Sequence, residues 1–428
     1  RTRGRHHDSR PSYGCITQRS LVLGRNQAMT EYLQRMNQVP RFAAAAHRPA
    51  RRRLWGSERQ STVVRLVIGN AIGDAFGFGI EMQDAEWIRC AVKYFDRWPH
   101  NPVMSPELRR NNVRGFYSDD AEMTVGLMKA LAIYGNKLDR DGMLRAWNDE
   151  WEISKRRPPP ALPGVGRQGH GGIASVWSGD LTLDEMRQRQ ADRTDPGNAP
   201  PMRALPLGFL TAALDRERLS MENADATHPH PKARAASLLI SFACRFLVVE
   251  RGPQVDLISA AAALLEASVL SEAETLAHLR SLDGLADYHD FGERFCAMPR
   301  EVHQLLCGPQ PCPFTVEVPA GADGTKRMEG LFADAMRTAG AVLYLCKFQR
   351  GPLDVLKASV DLGGHVDSVA ALCLGLVAAA GDLQFGEEGG LSWRLLEEVE
   401  GVEYLITHAK VFEAWLEQQQ QMQQQAPG

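Results

Sequence analysis

The chain has 428 residues, enough for one large domain or two of ordinary size. It is 44% hydrophobic and 24% charged, which is typical of a globular protein. Its net charge of −3 gives no reason to expect nucleic acid or an anionic membrane as a partner. The longest apolar run, 369–381, is shorter than the about 20 residues that a membrane-spanning helix needs. It predicts a buried core helix.

Residues 1–57 differ in composition from the rest of the chain. Up to Arg53 they contain twelve Arg, no Lys and only two acids, Asp8 and Glu31. Two interpretations stay open: a disordered leader, or an organelle transit peptide, which is Arg-rich and poor in acids. The arginine triplet at 51–53 predicts solvated charge, with binding to an acidic surface as the alternative.

The eight cysteines are scattered along the chain and form no CxxC pair. This pattern favours free thiols in a reducing compartment over a disulfide framework or a zinc site. A cytoplasmic location is therefore expected, or an organelle if the basic N-terminal segment is a transit peptide.

From residue 58 to 415, strand signals are few and helical periodicity recurs, which predicts one compact all-α domain. Gly69, Gly73 and Gly77 share one helical face, which permits close packing of a second helix or close approach of a ligand. Further apolar runs predict single helices over 205–214, 257–279 and 328–348.

Two regions of the chain do not follow the helical pattern. Residues 283–328 contain Gly, Pro, Cys and a short β-like run at 314–318, and they predict an irregular insertion. Residues 416–428 form a Gln-rich, low-complexity tail that is expected to be disordered or frayed.

Two segments place hard oxygen donors directly before apolar helices: Ser118, Asp119 and Asp120 in the first, Asp367 and Ser368 in the second. Capping of free N–H groups explains either segment alone. Two such helix starts also supply what a Mg²⁺ or Mn²⁺ site needs. We therefore predict that the fold brings the two segments together around metal.

Three turn segments precede other helices. A glycine-rich loop at 164–173 can present backbone N–H groups to a phosphate, or it can be a flexible linker. Gly197 and Asn198 lie in a second turn, before the apolar run at 205. His228 lies in the third turn, where a histidine can cap the next helix or contact a ligand.

Six motifs, in order, resemble those of the ADP-ribosylglycohydrolase family, which includes dinitrogenase reductase-activating glycohydrolase and the ADP-ribosylarginine and ADP-ribosylserine hydrolases. They are Gly73-Asp74-Ala75-Phe76-Gly77 with Glu81, Tyr117-Ser118-Asp119-Asp120, Gln168-Gly169-His170-Gly171, Gly197-Asn198 with Met202-Arg203, Thr227-His228, and Gly363-Gly364-His365-Val366-Asp367-Ser368. The resemblance implies a compact all-α fold and two divalent cations, Mg²⁺ or Mn²⁺.

The resemblance also implies roles for individual residues. Metal-ligand positions are occupied by Ser118, Asp119, Asp120, His365, Asp367 and Ser368. Catalytic positions are occupied by Glu81 and Asp119, and positions lining the ADP-ribose cleft by Gly171, Gly197, Asn198 and His228. Such a site would cleave the bond at the ribose anomeric carbon, where charge develops and a proton must be moved.

This sequence departs from the family pattern at one direct metal ligand, since His365 replaces an Asp. Milder departures are Ser118 and Ser368 for Thr, Gln168 for Arg and Ala199 for Gly. Imidazole binds Mn²⁺ but suits Mg²⁺ less, and it brings no negative charge. We therefore expect weaker or altered occupancy of one of the two cation positions.

Three functions follow from the resemblance and its departures. The first is a metal-dependent hydrolase that removes ADP-ribose from arginine or serine side chains of modified proteins. The second is a degenerate pseudo-hydrolase that binds ADP-ribose or ADP-ribosylated protein without turnover. The third is a dinuclear hydrolase of another ribosyl substrate, such as a nucleotide-sugar. The chain is expected to act as a monomer.

Overall fold

A computed structural model describes residues 48–99, 114–156, 172–289, 298–308, 315–317, 325–327 and 329–425. All of them lie in one compact unit, Pro40–Gly428. The fold is all-α, as predicted; within the described residues a single short antiparallel strand pair accompanies the helices. No described helix is both long and apolar enough to cross a membrane.

The helices in chain order are α1 Arg48–Glu58, α2 Thr62–Phe78, α3 Ala85–Ala91, α4 Asp119–Tyr134, α5 Arg140–Ser154, α6 Gly172–Ser178, α7 Leu183–Ala191, α8 Ala199–Met202, α9 Ala213–Thr227, α10 Pro231–Cys244, α11 Leu257–Ala267, α12 Ala273–Asp283, α13 Arg300–Cys307, α14 Ala335–Cys346, α15 Pro352–Val360, α16 Val366–Ala380, α17 Trp393–Glu398 and α18 Val402–Gln425. The strands are β1 Thr315–Glu317 and β2 Thr325–Arg327. Short 3₁₀ turns at Gly135–Lys137, Leu205–Phe209 and Gln254–Asp256 and a π turn at Arg245–Val249 complete the elements.

Helices α2 and α16 form the centre of the fold, and both are buried along nearly their whole length. The glycine face predicted on α2 packs directly on the α16 backbone. A β-carbon at Gly69 would lie 2.7 Å from the carbonyl oxygen of Leu374, and one at Gly73 would overlap the carbonyl oxygen of Ala370. At Gly77 it would overlap the α-carbon of Asp367. Of the two alternatives left open by the sequence, close helix packing is the one observed.

All but the last residue of helix α1 lies within the stretch assigned to the N-terminal leader, of which residues 1–47 lie outside the described part. Arg51 is buried and donates to the carbonyl oxygens of Glu397 and Val399 at 2.7 and 2.8 Å. Arg52 forms an ion pair with Glu397. These two arginines of the triplet are therefore bonded to the C-terminal part of the chain. Helix α18 in turn continues into the Gln-rich segment as far as Gln425.

Three predicted helices are wrong in extent, and in two of them a polar side chain sets where the observed helix begins. Between α11 and α12, the Glu272 side chain accepts from the backbone of Glu274 and Thr275, which starts a new helix. Before α14, Asp334 caps the helix, so residues 329–334 stay outside it. In the run 205–214, the backbone forms the 3₁₀ turn Leu205–Phe209, and α9 begins at Ala213.

Part of the predicted insertion 283–328 is described. It contains the end of α12, the helix α13 and the strand pair, in which Val316 is opposite Lys326. The short β-like run at 314–318 thus contains a strand, as predicted. Helix α13 contacts the rest of the fold through His303, whose Nε2 lies 2.9 Å from the carbonyl oxygen of Leu362.

The α2–α16 packing makes a direct prediction for stability. Gly73→Ala should destabilise the fold by about 3 kcal/mol, because the new methyl group meets the backbone of Ala370, which cannot rotate away. Urea denaturation measures the free energy of unfolding. The matched control is Gly56→Ala in α1, where a β-carbon has nothing within 4 Å. That variant should be neutral or more stable by about 1 kcal/mol. Equal effects of both substitutions would contradict the packing argument.

Candidate active site

The site begins with three backbone segments that pair near the start of α16. The carbonyl of Gly364 accepts from Met82 at 2.9 Å, and its N–H donates to Gln83 at 2.8 Å. Leu331 accepts from His365 and donates to Gly363, both at 2.9 Å. Gly363 and Gly364 have φ values of +71° and +79°, and a β-carbon on Gly364 would overlap Leu331, so only glycine fits.

These pairings place Glu81 beside the start of α16. Its Oε1 lies 2.9 Å from Nδ1 of His365. Donor atoms of Glu81, His365 and Asp367 all lie within 4.8 Å of one another, a spacing that suits a metal ion. Glu81 and His365 are partly exposed and Asp367 is buried, so a cation could reach this cluster from the surface.

The first oxygen-rich segment is held against α2 by Asp74. The two carboxylate oxygens of Asp74 accept from the backbone N–H groups of Ser118 at 2.7 Å and Ala121 at 2.8 Å. Ser118 caps α4, accepting from the backbone N–H of Asp120 at 3.4 Å. Asp74 therefore fixes the start of α4 next to α16.

The two oxygen-rich segments meet, which places Asp119, Asp120 and Asp367 in one buried group. Burial raises the pKa of all three carboxyls well above the ordinary value for Asp, and repulsion from neighbouring carboxylates, Asp74 among them, raises it further. The Oδ1 atoms of Asp120 and Asp367 are buried and have no hydrogen-bond partner among the described residues. Buried carboxylates with unpaired oxygens fit the ligand set of a divalent cation.

The His365 imidazole responds to opposing influences. Burial lowers its pKa, while the hydrogen bond to Glu81 and the negative charges of Glu81 and Asp367 raise it by more, so the pKa of His365 is raised overall. In the absence of metal this favours an ion pair between His365 and Glu81.

A second cluster, formed by Gly197, Asn198 and His228, adjoins the cluster of Glu81, His365 and Asp367. Asn198 donates to Oγ of Ser368 at 3.1 Å, which links the turn before α8 to α16. The neighbouring Gly197 lies against His228: a β-carbon on this glycine would be 2.8 Å from Nε2 of the imidazole. Burial, together with the positive charges of Arg203 and Arg193, lowers the pKa of His228 to about 3, so the ring is neutral.

Arg203 holds this second cluster in place. Its guanidinium is fully buried, 3.7 Å from the centre of the Trp147 ring. It donates to Oδ1 of Asn223 at 2.7 Å and to Oγ1 of Thr227 at 2.8 Å. Oγ1 of Thr227 lies 2.8 Å from Nδ1 of His228. Arg203 thus orients His228 through Thr227, leaving Nε2 on the Gly197 side.

The structure brings together all but one of the residues singled out from the sequence. The clustered ones are Glu81, Ser118, Asp119, Asp120, Asn198, Gly197, His228, His365, Asp367 and Ser368. Gly171, with the rest of the loop 164–171, lies outside the described residues. Two structural partners, Asp74 and Arg203, had no role assigned from the sequence, although both lie inside the motifs that were recognised.

Residues 56–424 match the sequence model of the ADP-ribosylglycohydrolase family. The match spans most of the chain, and the protein belongs to this family. A solved structure titled "ADP-ribosylglycohydrolase-related protein complex" is similar, with a TM-score of 0.53 and 18% identity. The alignment covers 84% of this chain and 99% of that one, and at this identity it shows a shared fold. No curated protein matches the chain. The family comprises glycohydrolases that act on ADP-ribose and are typically metal-dependent.

The buried carboxylates predict an unusual pH dependence of stability. An unfolded Asp has a pKa of about 3.9, so the unfolded chain loses these protons at lower pH than the folded chain does. Without divalent cations, stability should therefore fall as pH rises through the raised pKa values of Asp119, Asp120 and Asp367. Melting temperatures measured in chelator at a series of pH values give the slope of stability against pH.

Asp120→Asn should flatten that slope and raise the melting temperature at neutral pH, because one mutually repelling charge is removed. Added Mn²⁺ or Mg²⁺ should stabilise the parent chain more than this variant. Asp382→Asn, at an exposed position, is the control and should leave the parent's behaviour unchanged. A parent chain that becomes more stable with rising pH in chelator would contradict the assignment.

Proposed function

We propose that the chain is a divalent-metal-dependent hydrolase that removes ADP-ribose from modified side chains of proteins, at an arginine or serine linkage. One observation carries this proposal. The Glu81, His365 and Asp367 cluster, with unpaired buried carboxylate oxygens beside it, adjoins a second cluster of Gly197, Asn198 and His228. The first cluster suits the cations and the ribose at which the bond is cleaved. The second cluster suits the remainder of the ADP-ribosyl group.

Two cations, Mg²⁺ or Mn²⁺, would be held by Ser118, Asp119, Asp120, His365, Asp367 and Ser368. The unpaired Oδ1 atoms of Asp120 and Asp367 support this assignment, because an isolated buried carboxylate oxygen is unfavourable without a cation or a donor. When bound, such cations polarise a water molecule and hold hydroxyl oxygens of the substrate.

The carboxyl group of Glu81 would move the proton. Cleavage at the anomeric carbon passes through a state with positive charge on the ribose ring, and the leaving nitrogen or oxygen gains a proton. Glu81 is partly exposed and its Oε1 contacts His365, so we assign the proton transfer to its second carboxylate oxygen. Asp119, once ionised by cation binding, would supply negative charge near the positive charge that develops on the ribose.

Cleft-lining roles are proposed for Gly171, Gly197, Asn198 and His228. Gly197 permits the closest approach, since a β-carbon there would occupy the space in front of His228. The neutral imidazole can donate a hydrogen bond from Nε2 without adding charge. The site would bind an ADP-ribosylated protein as its substrate, or free ADP-ribose as a ligand. The chain would act as a monomer.

A second candidate function is binding of ADP-ribose without turnover. The observation that favours it is the 2.9 Å contact between His365 and Glu81, which occupies one metal-ligand position and one catalytic carboxylate at the same time. A chain with this ion pair intact would retain the cleft but lack a fully charged ligand set for the second cation.

Release of ADP-ribose from arginine-linked and serine-linked peptides separates these functions. The parent chain should release it with Mn²⁺ or Mg²⁺ and not in chelator. Glu81→Gln should lower the rate by roughly 100-fold or more, since it removes a proton-transfer group. Asp382→Asn should be as active as the parent. No release by the parent, with ADP-ribose still bound in a titration, would establish the second function instead.

His365→Asp tests how the histidine alters the metal site. The substitution restores an oxygen ligand, so calorimetric titration with Mg²⁺ should show tighter binding than the parent by roughly tenfold. The preference for Mn²⁺ over Mg²⁺ should decrease in parallel. His230→Asp, at a half-buried helix start away from the cluster, is the matched control. Unchanged Mg²⁺ affinity in His365→Asp would show that His365 is not a ligand.

A further inference from the structure

Arg193 lies just beyond α7, at the edge of the second cluster. Its guanidinium carbon is 5.9 Å from the centre of the Phe332 ring. Phe332 in turn packs edge to face against His365, with 6.5 Å between ring centres. The charge of Arg193 also acts on His228. The side chain therefore lies between the Glu81, His365 and Asp367 cluster and the cleft residues around His228.

The backbone at this position is tied to Gln190. The N–H of Arg193 donates to the carbonyl of Gln190. The side-chain amide oxygen of Gln190 accepts from the N–H of Gly197 at 3.2 Å. The start of the Arg193 side chain is consequently fixed relative to Gly197, the residue that faces His228.

Arg193 has no acidic partner among the residues that the structure describes, and its ring contact with Phe332 is its recorded side-chain interaction. Other cations near the cleft are neutralised: Lys232, for example, pairs with Asp195 and Glu274. Arg203 is buried and its donors are used by Asn223 and Thr227. Arg193 is thus a half-buried positive charge whose side-chain N–H groups have no acceptor among the described residues.

A dinucleotide-like ligand needs such a charge. A pyrophosphate brings its own negative charges into the cleft, and the neutral His228 adds no compensating charge. Guanidinium groups bind phosphate oxygens through paired N–H donors, and stacking on an aromatic ring holds the group flat and oriented. The ring of Phe332 provides that support for Arg193.

We propose that Arg193 is a substrate-recognition residue that binds the pyrophosphate of the ADP-ribosyl group. This inference rests on the proposed function, and it assigns the phosphate end of the substrate to a residue outside all six motifs. Bound in this way, the pyrophosphate lies on the Arg193 side of the cleft and the reacting ribose on the Glu81 side, so the substrate enters in one direction.

The test is calorimetric titration of the full chain with ADP-ribose, comparing the parent with Arg193→Met, Arg193→Lys and Arg189→Met. Arg193→Met should weaken binding roughly tenfold to a hundredfold, the effect expected for loss of a hydrogen bond to a charged group. Arg193→Lys should recover part of the affinity, because it keeps the charge. Arg189→Met, at an exposed position on α7, should bind as the parent does. Thermal melts establish that each variant is folded.

The outcomes separate the inference from the proposed function. If Arg193→Met and Arg193→Lys weaken ADP-ribose binding equally, Arg193 only supports the Phe332 ring. That result would overturn pyrophosphate binding by Arg193. Tight binding that is unaffected by Arg193→Met would overturn the inference alone. A parent chain that does not bind ADP-ribose would overturn the proposed function, and the inference with it.

Discussion

The contact between the α2 and α16 backbones is the constraint on which the rest of the structure depends. Gly69, Gly73 and Gly77 remove the side chains that would hold the two helices apart. Because Gly77 lies against the α-carbon of Asp367, the helix contact itself sets the position of a carboxylate of the site. Asp74, on the same helix, then fixes the start of α4 through two backbone N–H groups. Core packing and site geometry are therefore one feature of this fold.

Stability and function have opposite requirements where α4 and α16 begin. Three buried carboxyls repel one another, and two of their oxygens have no partner among the described residues. A fold selected for stability alone would place apolar side chains there. The surrounding packing tolerates the unfavourable charge, and a bound cation would relieve it. Arg193, on the other side of the cleft, is positively charged, whereas the carboxylates are negatively charged. The charge of the cleft therefore changes sign from one end to the other.

The sequence was sufficient for the fold class and for most of the clustered residues, because short motifs before apolar helices mark where polar groups converge. It could not predict Asp74 as the anchor of α4, since that role depends on two helices meeting in space. It also could not predict Arg193 or Phe332 at the cleft, because no motif joins them and their contact is purely tertiary. The starts of α12 and α14 were missed for a related reason: single capping side chains, Glu272 and Asp334, set where these helices begin within long apolar patterns.

The central pair of helices also has a consequence for how the protein is made. Helix α2 lies near the beginning of the domain and α16 near its end, so most of the chain is synthesised before the two can meet. Until then the glycine face of α2, on which α16 packs, has no partner, and the growing chain presents this apolar face to its surroundings. Contacts this distant in sequence form slowly, because a long loop must close first. Biogenesis of this protein should therefore depend on chaperones that shield α2, and truncated chains that end before α16 should aggregate rather than fold partially.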